Sequence, residues 1–445
     1  MPDKDTISAL RAAAIPLDGG ERDYDALLDL VGDARFVLLG EATHGTHEFY
    51  EERARITQRL IEDKGFHAVA VEADWPDAYR VNRYVRGQGE DATAEQALSG
   101  FQRFPNWMWR NTDVETFVEW LRGHNGRQDQ DGGGRKVGFY GLDLYSMFTS
   151  IGEVLGYLDK VDPQAAKVAR ERYACFDHYQ EDSQHYGYTA NLSLSDSCEQ
   201  GVIEQLHQLQ RRSAEYMQKD GAEEAFFHAQ QNARLVKNAE EYYRTMFRGR
   251  VSSWNLRDSH MAETLDALAR HLSKDGEPAR IVVWEHNSHI GDARATEVGE
   301  LGEWNVGELA RKAYDGDTRL IGFSTYQGFV TAASEWDAPA EHKRVRPGMP
   351  GSYEALLHET GIERFLLPLR DEGPARDALM TRRLERAIGV IYLPRTERHS
   401  HYFSAQMARQ FDAVIHIDRT TAVQPLDPGG GWHSEEPPET YPGGL

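Results

Sequence analysis

The chain has 445 residues, 40% of them apolar, which is ordinary for a soluble protein and ample for a core. Its 72 acids against 50 bases give a formal net charge of −22, a field that repels nucleic-acid phosphate and anionic membranes. Two cysteines, Cys175 and Cys198, exclude a four-thiolate metal site and a disulfide framework.

The length allows two or three domains, or one large α/β unit with an insertion. The N-terminus carries no basic region followed by a long apolar one, and no run is long enough to span a bilayer. A cytoplasmic protein is the expectation.

Residues 1–20 read as a helix and a Pro/Gly linker, and Tyr24–Val31 as a helix. Phe36–Leu39 is a short apolar run closed by Gly40, the pattern of a buried strand. Glu41, His44, His47 and Glu48 follow in the turn and helix start. Ala68–Val71 is a second strand ending in Glu72, and Pro76 opens a helix to about Arg86. Phe101–Arg110 is dense in aromatics. A helix from Thr112 to Arg122 and a polar Gly-rich loop, Gly123–Gly134, come next. Lys136–Tyr140 is a third strand, followed by Asp143.

From about residue 150 to 270, helical periodicity replaces strand-like runs, and we read a helical insertion with a polar, aromatic loop at His178–Tyr188. Ile281–Trp284 restores the strand signal. Leu320–Phe323, Gly328–Thr331, Phe365–Leu367, Gly389–Tyr392 and Ala413–Ile417 are further strands. The reading is an α/β fold: a central mixed sheet flanked by helices. Residues 1–149 and 273–426 form its halves, 150–272 the insertion, and 427–445 a loose tail.

Ligands of open α/β sheets bind beyond the carboxyl ends of the strands. Two strands here end in His-x-x-His, His44/His47 and His286/His289. Glu41, Glu72, Asp74, Asp143 and Glu285 stand at predicted strand ends too. Burying such a set costs energy unless its members pair, so the cluster points to a site. No Gly-x-Ser-x-Gly elbow, Walker loop or Gly-x-Gly-x-x-Gly is present. Two chemistries stay open. A carboxylate-held histidine can deprotonate water, or the histidines and acids can hold a divalent metal that does so.

Gly40–Phe49 (GEATHGTHEF), Val71–Trp75, Met108–Asn111, Gly138–Asp143 (GFYGLD) and Val282–Ala293 (VVWEHNSHIGDA) together resemble the erythromycin esterase family. The resemblance implies an α/β core, a helical insertion and a hydrolytic cleft that activates water without an acyl-enzyme. It makes His44 the general base, surrounded by Glu41, Arg53 and Glu72, with His286 and His289 as the second pair. Arg53 rests on the resemblance alone. Glu72 is our choice to orient His44, and Arg53, His286 or His289 to steady the oxyanion. Asp74, Trp75, Trp107, Arg110 and Asp143 are assigned to the substrate side. Glu285 replaces a small residue common in the family and adds negative charge that can raise a histidine pKa or favour a metal, unless its side chain points to the other face of the strand and does neither. No cofactor is expected, with a divalent metal left open, and the partner is an ester or macrolide; a monomer is favoured, with the oligomeric state left open. A metal- or haem-binding module without catalysis is the competing class.

Overall fold

Alternate residues of the fully buried strands face two separate cores. Phe36, Leu38, Ala70, Ile281 and Val283 belong to one core, whereas Val37, Leu39, Val71, Val282 and Trp284 belong to the other. A strand apolar on both faces must be covered by helices on both sides. The computed structural model shows such an arrangement. It describes residues 4–20, 22–130, 134–179, 182–191, 197–220, 223–274 and 276–427.

In chain order the strands are β1 (Ile15–Pro16), β2 (Phe36–Leu39), β3 (Ala68–Asp74), β4 (Gly138–Asp143), β5 (Ile281–Trp284), β6 (Thr318–Ala332), β7 (Glu341–Val345), β8 (Arg364–Pro368), β9 (Arg383–Arg386), β10 (Tyr402–Ala405) and β11 (Ala413–Thr420). Nine form one sheet in the order β1-β8-β11-β6-β2-β5-β3-β4, with β7 paired to β6, while β9 and β10 form a separate hairpin. The run β11-β6-β2-β5-β3-β4 is wholly parallel, and β1, β7 and β8 pair antiparallel with their neighbours. The fold is the expected mixed α/β sheet.

Helices Asp25–Val31, His47–Lys64 and Thr112–Gln130 pack on the face of Val37 and Trp284. Helices from Met147 to Leu272 pack on the opposite face, with no strand among the described residues of that stretch. After them the chain returns as β5, which enters between β2 and β3. The carboxyl ends of β2, β5, β3 and β4 therefore lie side by side.

Several elements differ from the sequence reading. Leu320–Phe323 and Gly328–Thr331 are one 15-residue strand, β6, because Gly328 continues the ladder instead of breaking it. Gly389–Tyr392 is not a strand; it makes only isolated bridges, such as Ala333 with Ile391. Helix Thr112–Gln130 runs through much of the expected loop, and Ser183–Asn191 within the aromatic stretch is helical. The two cysteines are joined, Cys175 to Cys198, across 23 residues of the helical segment. The expected tail, apart from Asp427, falls outside the described residues.

Candidate active site

Beyond β2 the chain turns sharply through Gly40–Thr46 before helix His47–Lys64 begins. Gly45 makes this turn possible: a Cβ there would lie 1.9 Å from the Thr331 carbonyl oxygen. Thr331 and Val423 each donate a backbone N–H to the Gly45 carbonyl, both at 3.0 Å. His44 is thereby fixed where it lines a cavity of about 1120 Å³.

Behind His44 runs a buried relay. Arg53 Nη2 donates to Glu41 Oε2 at 2.7 Å, and Glu41 Oε1 lies 2.8 Å from His44 Nδ1. Arg53 is 1% exposed and sits over the rings of Tyr50 and Trp284. The Tyr50 hydroxyl donates to the His44 carbonyl at 2.8 Å. Glu41, not Glu72, is thus the acid that orients His44. Neither Glu41 nor Arg53 lines the cavity, so Arg53 is displaced from the oxyanion role assigned to it.

His286 stands beside His44, ring centroids 4.8 Å apart. Its Nδ1 accepts the Ser288 backbone N–H at 3.2 Å and meets the Ser288 hydroxyl at 2.8 Å. Nε2 is buried without a hydrogen-bond partner. Burial, reinforced by His44, pushes the His286 pKa well below the usual value. The ring is neutral, and with Nδ1 accepting from the peptide its proton belongs on Nε2.

Glu72, at the end of β3, accepts the His286 backbone N–H at 2.8 Å and Arg257 Nη2 at 2.8 Å, and lies 3.4 Å from His289 Nε2. Burial opposes its ionisation, but His289 and Arg257 overcome that and hold its carboxyl well below the usual range. Asp143, at the end of β4, is bound twice by Arg257, at 3.0 and 2.6 Å. Asp258 lies 2.9 Å from His289 Nδ1. Burial alone would lower the His289 pKa, yet Asp258 and Glu72 raise it to about 10.

Of the expected substrate side, Asp74 and Asp143 line the cavity, but both are engaged by arginines. Arg103 binds Asp74 at 2.5 Å and lines the wall beside it. Trp75, Trp107 and Arg110 do not line it. Trp75 donates to His228 Nδ1 at 3.0 Å and stacks on Tyr140, Trp107 packs in the helical layer, and Arg110 binds Asp427 at 2.7 Å. His47 is also outside, bonded to Asp113 at 2.8 Å. Glu285 is buried, which raises its carboxyl well above the usual range, and neither oxygen has a hydrogen-bond partner.

Arg257, Asp258 and Trp254, from helix Arg250–Leu272, escaped the sequence reading. Their signal was the WNLRD run, where polar residues occupy the positions three and four after a tryptophan on one helix face. Phe101, Phe104, Trp109 and Trp336 form an aromatic wall, and His399 and His401, to which no chemistry was assigned, also line the cavity. Among the described residues, no group of three or more His, Cys, Asp or Glu is arranged to hold a metal ion. Nor, among them, is any helix long and apolar enough to cross a membrane.

A neutral imidazole beside a carboxylate-held one, both lining the cavity, suits proton transfer at a polarised carbonyl. The family model described as erythromycin esterase matches residues 61–420, starting past the His44 turn. Erythromycin esterase type II of Escherichia coli is 21% identical over 92% of this chain and 94% of its own. The "Putative hydrolase YbfO" of Bacillus subtilis (strain 168) is 23% identical, covering 92% and 89%. Among solved structures, a succinoglycan biosynthesis protein superposes with a TM-score of 0.77 at 21% identity, over 95% of this chain and 98% of that one. A mutant of erythromycin esterase EreC in its open conformation gives 0.65 at 17%, over 91% and 95%. These names support a hydrolase, and the chain belongs to the erythromycin esterase family.

Proposed function

We propose that this chain hydrolyses a carboxylic ester or lactone by direct attack of water, without an acyl-enzyme. The observation that carries this is the Arg53–Glu41–His44 relay, which ends on a ring lining the cavity. Glu41 holds Nδ1, so Nε2 is left to receive a proton. His44 Nε2 takes the proton from water, and Glu41 stabilises the imidazolium that results. Hydroxide adds to the carbonyl carbon. The His286 Nε2–H donates to the oxyanion, a contact worth on the order of 3 kcal/mol. The C–O bond to the alcohol breaks, and the departing alkoxide recovers the proton from His44. The products are an acid and an alcohol, or a hydroxy acid from a lactone.

The relative named erythromycin esterase makes macrolactones the first substrates to try, and macrolide resistance in an expressing host follows if they are opened. In oxygen-18 water, one heavy atom should enter the acid product in a single turnover. His44→Gln should reduce kcat by ~100- to 10,000-fold while the fold persists. Turnover by a folded His44→Gln protein would exclude His44 as the base. Because Arg257 occupies Glu72 and Asp143, a chelator should leave the rate unchanged; loss of rate would favour metal chemistry.

A further inference from the structure

Trp254, Arg257 and Asp258 share one face of helix Arg250–Leu272, and that face closes on a single imidazole. Trp254 stacks flat on His289, centroids 4.6 Å apart with 6° between planes. Asp258 holds His289 Nδ1 at 2.9 and 3.0 Å. Arg257 Nη1 lies 3.0 Å from His289 Nε2, while its Nη2 binds Glu72, the acid that accepts the His286 backbone N–H.

The loop after the second histidine pair clamps the helix. Asn255 donates to the Gly302 carbonyl and accepts from the Trp304 N–H, both at 2.9 Å. Trp254 Nε1 donates to the Trp304 carbonyl at 3.0 Å, and Arg250 pairs with Glu303 at 3.0 Å. A helix that merely covered the sheet would do as well, or better, with apolar residues here, since buried ion pairs seldom add net stability. The charges therefore need another explanation.

We infer that Trp254, Arg257 and Asp258 are positioning residues of the hydrolytic site, one helix face of the insertion orienting His289 and Glu72, with Asp258 sustaining the protonated ring and Arg257 opposing it. This rests on the hydrolase reading. The groups facing His289 are Asp258 and Arg257 from the helix, Glu72 from β3, Glu285 and His286 after β5, and Glu303 from the clamp. Its positive charge persists below its pKa and disappears as the pH rises through that value, about 10 in the native chain. Removing Asp258 brings that loss to lower pH.

The test compares intact wild type, Asp258→Asn, Arg257→Lys and Arg257→Gln. Ring titration of His289 is followed by NMR, with the resonance assigned through His289→Gln, and kcat/KM is measured against pH with a panel of simple esters. In Asp258→Asn, His289 should titrate at least one pH unit lower, and the basic limb of kcat/KM should move with it. Lysine at 257 should recover at least ten-fold over glutamine. An unmoved His289 titration, or a loss of rate with an unshifted limb, overturns the inference. If the native protein cleaves no ester, the hydrolase reading fails, while the NMR titration still decides whether the helix sets the charge. If Asp258→Asn does not fold, the Arg257 pair decides: equal rates for lysine and glutamine reject the role.

Discussion

At the scale of single residues, the site keeps chemically similar groups apart by their surroundings. His286 meets a peptide N–H and a hydroxyl at Nδ1, and burial with His44 beside it pushes its pKa well below the usual value. His289, three residues on, faces two acids, Asp258 and Glu72, which raise its pKa to about 10 against the opposing Arg257. Glu285 is buried with neither carboxyl oxygen hydrogen-bonded. Its carboxyl is raised from 4.5, so the folded chain binds this proton more tightly than the unfolded chain does. Stability from that proton is complete below about pH 4.5 and declines as the pH rises toward the folded-state value. Glu285→Gln, which keeps the shape of the protonated acid, should raise the melting temperature at pH 7 to 8. The gain should vanish near pH 4, as thermal denaturation across that range will show.

At the scale of elements, the turn after β2 depends on backbone contact with β6. Gly45→Ala would force the turn off the Thr331 carbonyl and tilt His44 from Glu41. We expect a loss of about 1–3 kcal/mol in stability, typical of overpacking, together with reduced kcat. Calorimetry and kinetics on one preparation would reveal a fall in stability without a fall in kcat, and that result would free His44 from this turn. The strands that carry the site were legible because short apolar runs ended in glycine or acid, as in Phe36–Leu39 and Ile281–Trp284. Their shared edge followed from general rules for α/β sheets. The contribution of helix Arg250–Leu272 was not legible. Periodicity assigns charged residues to solvent, and only the tertiary fold turns Arg257 and Asp258 inward. Two tryptophans assigned to the substrate side misled for the opposite reason. Trp75 and Trp107 satisfy a core as readily as a cavity, and the packing of helices on the sheet decided the matter.

For the molecule as a whole, one cross-link ties the helical segment internally. Cys175 and Cys198 enclose a loop whose closure restricts the unfolded chain, a restriction worth about 3 kcal/mol in the chain-entropy view. Reductant should therefore lower the melting temperature, and a Cys175→Ser variant should melt at that lower temperature with or without it. An equal melting temperature for native protein in both buffers would show that the link is not formed in solution.

The threading of β5 between β2 and β3 also matters for how the polypeptide is born. On the ribosome, β2, β3 and β4 emerge with a gap at their centre, and the piece that fills it is made roughly 140 residues after β4 ends. Until then two apolar strand flanks stand open to unintended pairing, and nothing resembling the finished catalytic edge can exist.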